Sequence, residues 1–308
     1  MEEYVGKNID GYYVRPMLQR IRAVQQDVLR EVDAICKRHD LKWFADWGTL
    51  LGAVRHKGYI PWDDDLDIGM KRLDFEKFKR YARKELPEWY SYNLDRDSNI
   101  KKLTFCIYNC SEINTAPEWL EKNHGCPYPA GVDIFVYDNI PDDTGAREDY
   151  LAVYSYTSVA AQALEDGMTY ADCDDELKKL IDMSSNLTGM DYVRDQPMKV
   201  PMLILADQIA AMYFDVVTDH VAIAGCLTWG ERYLFMRKWI DDIVTLPFED
   251  IEINCPSGYD EILKSWYGED YMIPQKYEEH ENFYGEQEKK LHLWYKSRGL
   301  EVPDLFLE

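Results

Sequence analysis

The sequence predicts an α+β fold: a mixed sheet with flanking helices, followed by a mainly helical C-terminal region. Three observations carry this. Residues 14 to 39 repeat apolar side chains at intervals of three or four, the spacing of one helix face. The runs "LKWFADW", "KLTFCIYN" and "GVDIFVYDNIP" alternate or are continuously apolar between turn residues, as strands do. Beyond Pro141 the character changes, and long helical patterns dominate residues 146 to 243. The chain is therefore divided into an α/β core of residues 1–142 and a mainly helical region of residues 143–308.

Taken in order, the first helix places Leu18, Ile21, Val24, Val28, Val32 and Ile35 on one face. "LKWFADW" reads as a strand broken by Gly48. "TLLGAVRHKG" reads as a short helix with Thr49 as N-cap and Gly58 just past its end. Pro61 favours an extended entry into residues 64 to 70, a further strand. "RLDFEKFKRYARKEL" is a second amphipathic helix stopped by Pro87. Near the end, "FEDIEIN" reads as a short strand and residues 257 to 267 as a helix ended by Gly268.

Composition narrows the function classes. Aspartate and glutamate number 57 against 35 lysine and arginine, a net charge of -22, which opposes general nucleic-acid binding. A small anionic substrate in a locally basic pocket stays compatible. The seven cysteines suggest reduced thiols rather than a disulfide framework, and a cytoplasmic setting. Cys106, Cys110 and Cys126 lie near His124, but their spacing lacks the repeated close pair of a zinc site. The opening "MEEYVGKNID" is acidic and polar, unlike a signal peptide. The most apolar long stretch, "VPMLILADQIAAMYFDVV", carries Asp207 and Asp215, so no membrane span is expected.

The segment "IPWDDDLDIGM" gathers Asp63, Asp64, Asp65 and Asp67 between apolar neighbours. In a strand, residues two apart share a face at about 6.6 Å between Cα atoms. Asp65 and Asp67 would point the same way, joined by Asp63, with Leu66 and Ile68 in the core and Asp64 on the other face, solvated or holding the turn. Three readings compete. Apolar flanks and alternation count against a solvated acidic loop. An EF-hand loop would match Asp63, Asp65, Asp67 and Asp74, but Ile68 stands where that loop needs glycine. A metal site for phosphoryl transfer accounts for all of it, because a divalent cation relieves the repulsion among the carboxylates. Asp133, a lone acid in the run Val132 to Val136, is the best third carboxylate.

The segment just before supplies anion-binding chemistry. Gly48 allows close backbone approach, and the helix after it offers free N–H groups and a positive dipole end. Gly48, Thr49 and the basic trio Arg55, His56 and Lys57 are candidate phosphate-binding residues. Trp47 and Trp62 each adjoin a motif residue and are placed to face the same pocket.

On these residues the chain resembles the LicD family of phosphocholine and related transferases, within the nucleotidyltransferase superfamily. The likeness rests on "GTLLGAVRHKGYIPWDDDLDIGMKRLDFEKF", continues through "GVDIFVYDNIP", and returns in "LPFEDIEINCPSGYDEILKSWYGEDYMIP". It implies a nucleotidyltransferase-like sheet, with Trp47-Gly48-Thr49 at the turn position. It also implies that Asp65, Asp67 and Asp133 are catalytic carboxylates holding Mg2+, with Mn2+ as a substitute. The activity so implied moves phosphocholine, or a related phospho-alcohol, from CDP-choline or another CDP-alcohol. The acceptor would be a hydroxyl of a cell-surface glycan or lipid-linked glycan precursor, met in the cytoplasm or at the inner face of the membrane. The helical region would contribute to the acceptor site. Two departures stand: the cysteine-bound zinc insertion of the fukutin-related branch is not recognisable, and His280 stands alone where a paired histidine is expected. The rival readings are a metal-dependent nucleotide-sugar glycosyltransferase and a non-catalytic metal-binding interaction protein.

Overall fold

A computed structural model of the chain describes residues 4–93, 103–275 and 283–306, and His280 lies outside them. A hairpin of β1 (Lys7–Ile9) and β2 (Tyr12–Val14) leads into α1 (Pro16–Arg38), with proline at the first helical position, where no N–H is needed. The sheet segment follows: β3 (Phe44–Ala45), α2 (Trp47–Arg55), β4 (Asp67–Lys71), α3 (Arg72–Glu85), β5 (Ser91–Asn93), β6 (Phe105–Tyr108), α4 (Pro117–Lys122) and β7 (Gly131–Ile140). Beyond it come α5 (Thr144–Ala163), α6 (Asp175–Thr188), α7 (Lys199–Ala210), β8 (His220–Ala222), α8 (Ala224–Leu227), β9 (Phe235–Met236) and α9 (Lys238–Asp241). The hairpin β10 (Ile243–Phe248) and β11 (Ile251–Pro256), then α10 (Tyr259–Tyr267) and α11 (Phe283–Ser297), complete the described elements.

The expected α+β architecture is present. The main sheet runs β3-β4-β7-β6-β5, with β8 and β9 continuing from the far end of β7. It is mixed: β4 and β7 are parallel, and the other pairs are antiparallel. Helices α1 and α3 pack on each other and on β7. Their apolar faces, with Val28, Val32, Ile35, Phe75 and Phe78 buried, close over Ile68, Ile134 and Val132. The same core takes Val221, Phe235, Ile253, Leu263 and Trp266, so residues on both sides of position 142 share it. A second cluster lies among α5, α6 and α7, including Tyr154, Ile181 and Leu203. Arg72, on α3, ties the two parts together through a buried two-pronged pair with Asp138 and a bond to Asp207 on α7. Among the described residues, no helix is long and apolar enough to cross a membrane.

Several expectations are corrected. The N-cap of α2 is Asp46, whose carboxylate accepts from the Trp47 N–H, not Thr49. The strand expected over residues 64 to 70 is regular only from Asp67. Asp64 is 3% exposed, not solvated, and its backbone carbonyl, accepting from the buried Gln25 amide, helps hold the turn. "FEDIEIN" is not one strand: it contains the turn of the β10–β11 hairpin, with Glu249 at φ 52°. Short strands β8 and β9 interrupt the helical stretch.

Candidate active site

The parallel pairing of β4 and β7 sets Asp67 directly opposite Asp133, so the two acids are neighbours across adjacent strands. Three backbone bonds fix this arrangement. The Asp133 N–H donates to Leu66 O, the Asp46 N–H donates to Asp67 O, and the Asp67 N–H donates to Thr49 Oγ1 at 2.8 Å. Thr49 thus pins the start of the acidic strand to the first turn of α2. The Tyr108 hydroxyl on β6 donates to Asp133 Oδ1 at 2.8 Å and orients that carboxylate.

The turn before β4 is held from beneath by Arg22 of α1. Its Nη2 donates to the carbonyls of Ile60, Pro61 and Asp63 at 2.8, 3.1 and 2.5 Å. Arg22 is itself 6% exposed and lies over the Tyr59 ring. Gly48 completes the fit, since a side chain there would collide with the Asp63 carboxylate. Trp47, between the Asp46 cap and Gly48, holds φ at 42°, an uncommon conformation for a bulky residue.

These residues line a cleft of about 440 Å³. Asp63, Asp65 and Asp67 stand on one side with Gly48 and Arg55. Trp47, Trp62, Trp229, Tyr267 and Tyr271 supply aromatic lining, and Asp270 a further carboxylate. Trp47 stacks on Trp266 with ring centroids 4.5 Å apart and planes 3° from parallel. Electrostatics set the character of the acidic side. Burial pushes the Asp67 carboxyl well above the usual carboxylate range, and Asp65, Asp133, Asp63 and Asp46 push the same way. Asp46 is pushed up to about 7 by burial, against the opposing bonds from Tyr137 and the Trp47 N–H. Arg55 is drawn down by burial, opposed by Tyr267 and Asp63, and its Nη1 donates to Tyr271 O at 2.8 Å.

The expected residues are thus partly gathered. Asp65, Asp67, Gly48, Arg55, Trp47 and Trp62 line the cleft. Asp133 sits beside Asp67 but outside the lining, and Thr49 is buried behind Gly48. The basic trio is split. His56 turns toward Asp10 and the edge of Trp62, and Lys57 is exposed at φ 57°. Among the described residues, no three His, Cys, Asp or Glu side chains are gathered closely enough to hold a metal ion. Cys106, Cys110 and Cys126 are buried thiols, while His124 is engaged by Asp27 and Tyr4. Trp229, Trp266, Tyr267 and Tyr271 were not singled out in the sequence. Their spacing there is that of ordinary helix and loop aromatics, and only tertiary packing brings them to the cleft.

Comparison with known proteins falls on this same region. Residues 40–114, which hold α2, the acidic turn and β4, match the family model described as LicD/FKTN/FKRP, nucleotidyltransferase domain. Over 256 residues the chain is 24% identical to the lipopolysaccharide cholinephosphotransferase LicD of Haemophilus influenzae, covering 83% of this chain and 91% of that protein. An uncharacterized protein of Rickettsia typhi is 42% identical over 112 residues, 36% of this chain and 35% of its own length. Another, from Rickettsia prowazekii, is 36% identical over 81 residues, 25% of this chain and 29% of its own.

Proposed function

We propose that the protein transfers phosphocholine, or a related phospho-alcohol, from a CDP-alcohol to a hydroxyl of a glycan precursor, with magnesium. The observation that carries this reading is the cleft itself, which sets Asp65, Asp67 and Arg55 against Trp47, Trp62 and Trp229. A quaternary ammonium cannot donate hydrogen bonds and favours aromatic faces, whereas a diphosphate needs cations. The cholinephosphotransferase activity named for the Haemophilus relative supports the same substrate class.

The donor set fits a hard divalent cation: oxygen ligands, with Asp67 driven up by burial and then by its acidic neighbours. Asp65, Asp67 and Asp133 would hold it, after side-chain rotation. Bound there, magnesium would neutralise phosphate oxygens and the leaving CMP. The rest falls to the chain. Arg55 forks onto phosphate oxygens, and Gly48 lets the diphosphate approach the α2 N-terminus. The aromatic walls orient the alcohol. The acceptor oxygen forms a new bond to the distal phosphorus as the bond to CMP breaks, and its proton passes to a cleft carboxylate. Asp65 is half-buried, more open than the buried Asp63 and Asp67 beside it.

The test is release of CMP from CDP-choline, CDP-ethanolamine and CDP-ribitol, and of the nucleoside diphosphate from nucleotide sugars, with and without magnesium, alongside Trp47→Ala and Trp62→Ala. Preference for CDP-choline, weakened by both substitutions, is expected. Release only from nucleotide sugars would favour a glycosyltransferase. Magnesium uptake in calorimetry without nucleotide-dependent heat would favour a non-catalytic metal binder.

A further inference from the structure

The cleft holds one carboxylate that does not belong to the acidic turn. Asp270 lines it together with Tyr267 and Tyr271 of the same segment, and with Trp229. The acids that push the Asp67 carboxyl upward are Asp65, Asp133, Asp63 and Asp46, so Asp270 stands apart from that cluster.

The turn that carries Asp270 is fixed in place. Helix α10 stops at Gly268, whose φ of 87° suits glycine. The Tyr271 N–H donates to Gly268 O at 3.2 Å, and the Ile273 N–H donates to Asp270 O at 2.8 Å. Tyr271 is held at both ends: its hydroxyl donates to Asp260 at 2.7 Å, and its carbonyl accepts from Arg55 Nη1 at 2.8 Å. Asp270 is thus the chain neighbour of the residue that Arg55 grips. Arg55 is the only lysine or arginine among the described residues lining the cleft.

The cations nearby are engaged elsewhere. Lys264, the lysine of α10, is taken by Asp260 at 2.7 Å and by Glu269 at 3.7 Å. Arg55 interacts with Tyr267 and Asp63. Among the described residues, no cation or hydrogen-bond donor meets the Asp270 carboxylate. A carboxylate in this position, beside aromatic rings, has a definite complement. An organic ammonium brings a charge that the carboxylate attracts and C–H surface that the rings cover. A phosphate is repelled, which leaves the diphosphate to Arg55 and the α2 N-terminus and turns the alcohol toward Asp270. A neutral polyol gains nothing from the charge.

We infer that Asp270 is the counter-charge for the cationic head of the donor's alcohol and makes the cleft prefer an ammonium alcohol over a neutral polyol. The inference rests on the transfer reading above. It adds the residue that selects the alcohol and the charge class selected, and it can fail alone.

The test is calorimetry on the full chain with magnesium, giving Kd for CDP-choline, CDP-ribitol and CMP in the wild type, Asp270→Asn and Asp270→Glu. The asparagine keeps the shape and an acceptor oxygen and removes only the charge. Asp270 is exposed, so neither substitution disturbs the core. Asp270→Asn should weaken CDP-choline about fivefold, and less at high salt, while CDP-ribitol and CMP stay within about twofold. Asp270→Glu keeps the charge and should hold CDP-choline within about twofold of the wild type. Unchanged CDP-choline binding in Asp270→Asn, equal losses for all three ligands, a loss in Asp270→Glu as large as in Asp270→Asn, or no CDP-choline binding by the wild type overturns the assignment. Failure of the transfer reading looks different: CDP-choline binds and depends on the Asp270 charge, yet no CMP is released from it.

Discussion

Asp67 is the residue on which the site turns. It is 7% exposed, its backbone is bonded on both sides, and every charged neighbour that shifts its carboxyl is another aspartate. Asp67→Asn should therefore leave the metal-free protein as stable or slightly more so, since it removes a buried charge among like charges. The same change should cut CMP release by about a hundredfold or more, because a metal ligand is lost. Thermal melting and turnover at low magnesium check the two halves, and near-normal turnover would sink the metal assignment. Arg55 and Lys57 make a sharper pair than either alone, since Arg55 lines the cleft and Lys57 is exposed outside it. Arg55→Ala should weaken CDP-choline binding by roughly tenfold, more at low salt than at high salt. Lys57→Ala should leave the affinity unchanged. Equal losses in calorimetry would restore the basic trio as one phosphate patch.

At the scale of elements, the acidic turn is only as well placed as the helix beneath it. Arg22 spends its Nη2 on three carbonyls of that turn, a geometry the lysine ammonium cannot copy from the same backbone position. Arg22→Lys should cost about 1–3 kcal/mol in denaturant unfolding, from carbonyls left poorly satisfied. It should also lower kcat more than it raises KM, because the misplaced group is the acidic turn and not the aromatic wall of the cleft. A stability loss with unchanged kcat would reduce Arg22 to a scaffold. What the sequence revealed follows the same division between local and distant causes. Helices α1 and α3, strand β7 and the Gly268 stop were legible because apolar spacing and helix breakers act within a few residues. Asp133 was legible as a lone acid in an apolar run. Its register opposite Asp67 was not, since nothing in the spacing fixes which residues of two distant strands pair. The α2 cap was misplaced because Asp46 reads as a strand residue until Tyr137, 91 positions away, donates to its buried carboxylate. The β10–β11 turn carries neither glycine nor asparagine at Glu249 and so gave no signal.

At the scale of the whole molecule, position 142 separates two kinds of sequence pattern, while the core runs across it. Strand β8 bonds to the end of β7 through Asp138, Asn139 and Ile140. Phe235, Phe248, Ile253, Leu263 and Trp266 are buried in the same cluster as Leu50, Ile68 and Ile134. Part of the cleft lining also comes from beyond 142, including Cys226, Trp229, Tyr267 and Tyr271. A fragment of residues 1–142 would therefore keep all three site aspartates but expose the face that Phe235 and Trp266 cover. It would also leave Trp47 without the ring it stacks on. Each large apolar side chain removed from such a core leaves a cost of about 2–5 kcal/mol, and several are lost together, against a total domain stability of about 5–15 kcal/mol. The fragment should show no cooperative thermal transition and should bind CDP-choline neither with nor without magnesium. Supplying residues 143–308 in trans should restore some of both if the two pieces recognise each other. A cooperative melt of residues 1–142 alone, with nucleotide binding near that of the full chain, would instead make the change of pattern at 142 a true domain boundary and confine the donor site to the N-terminal part.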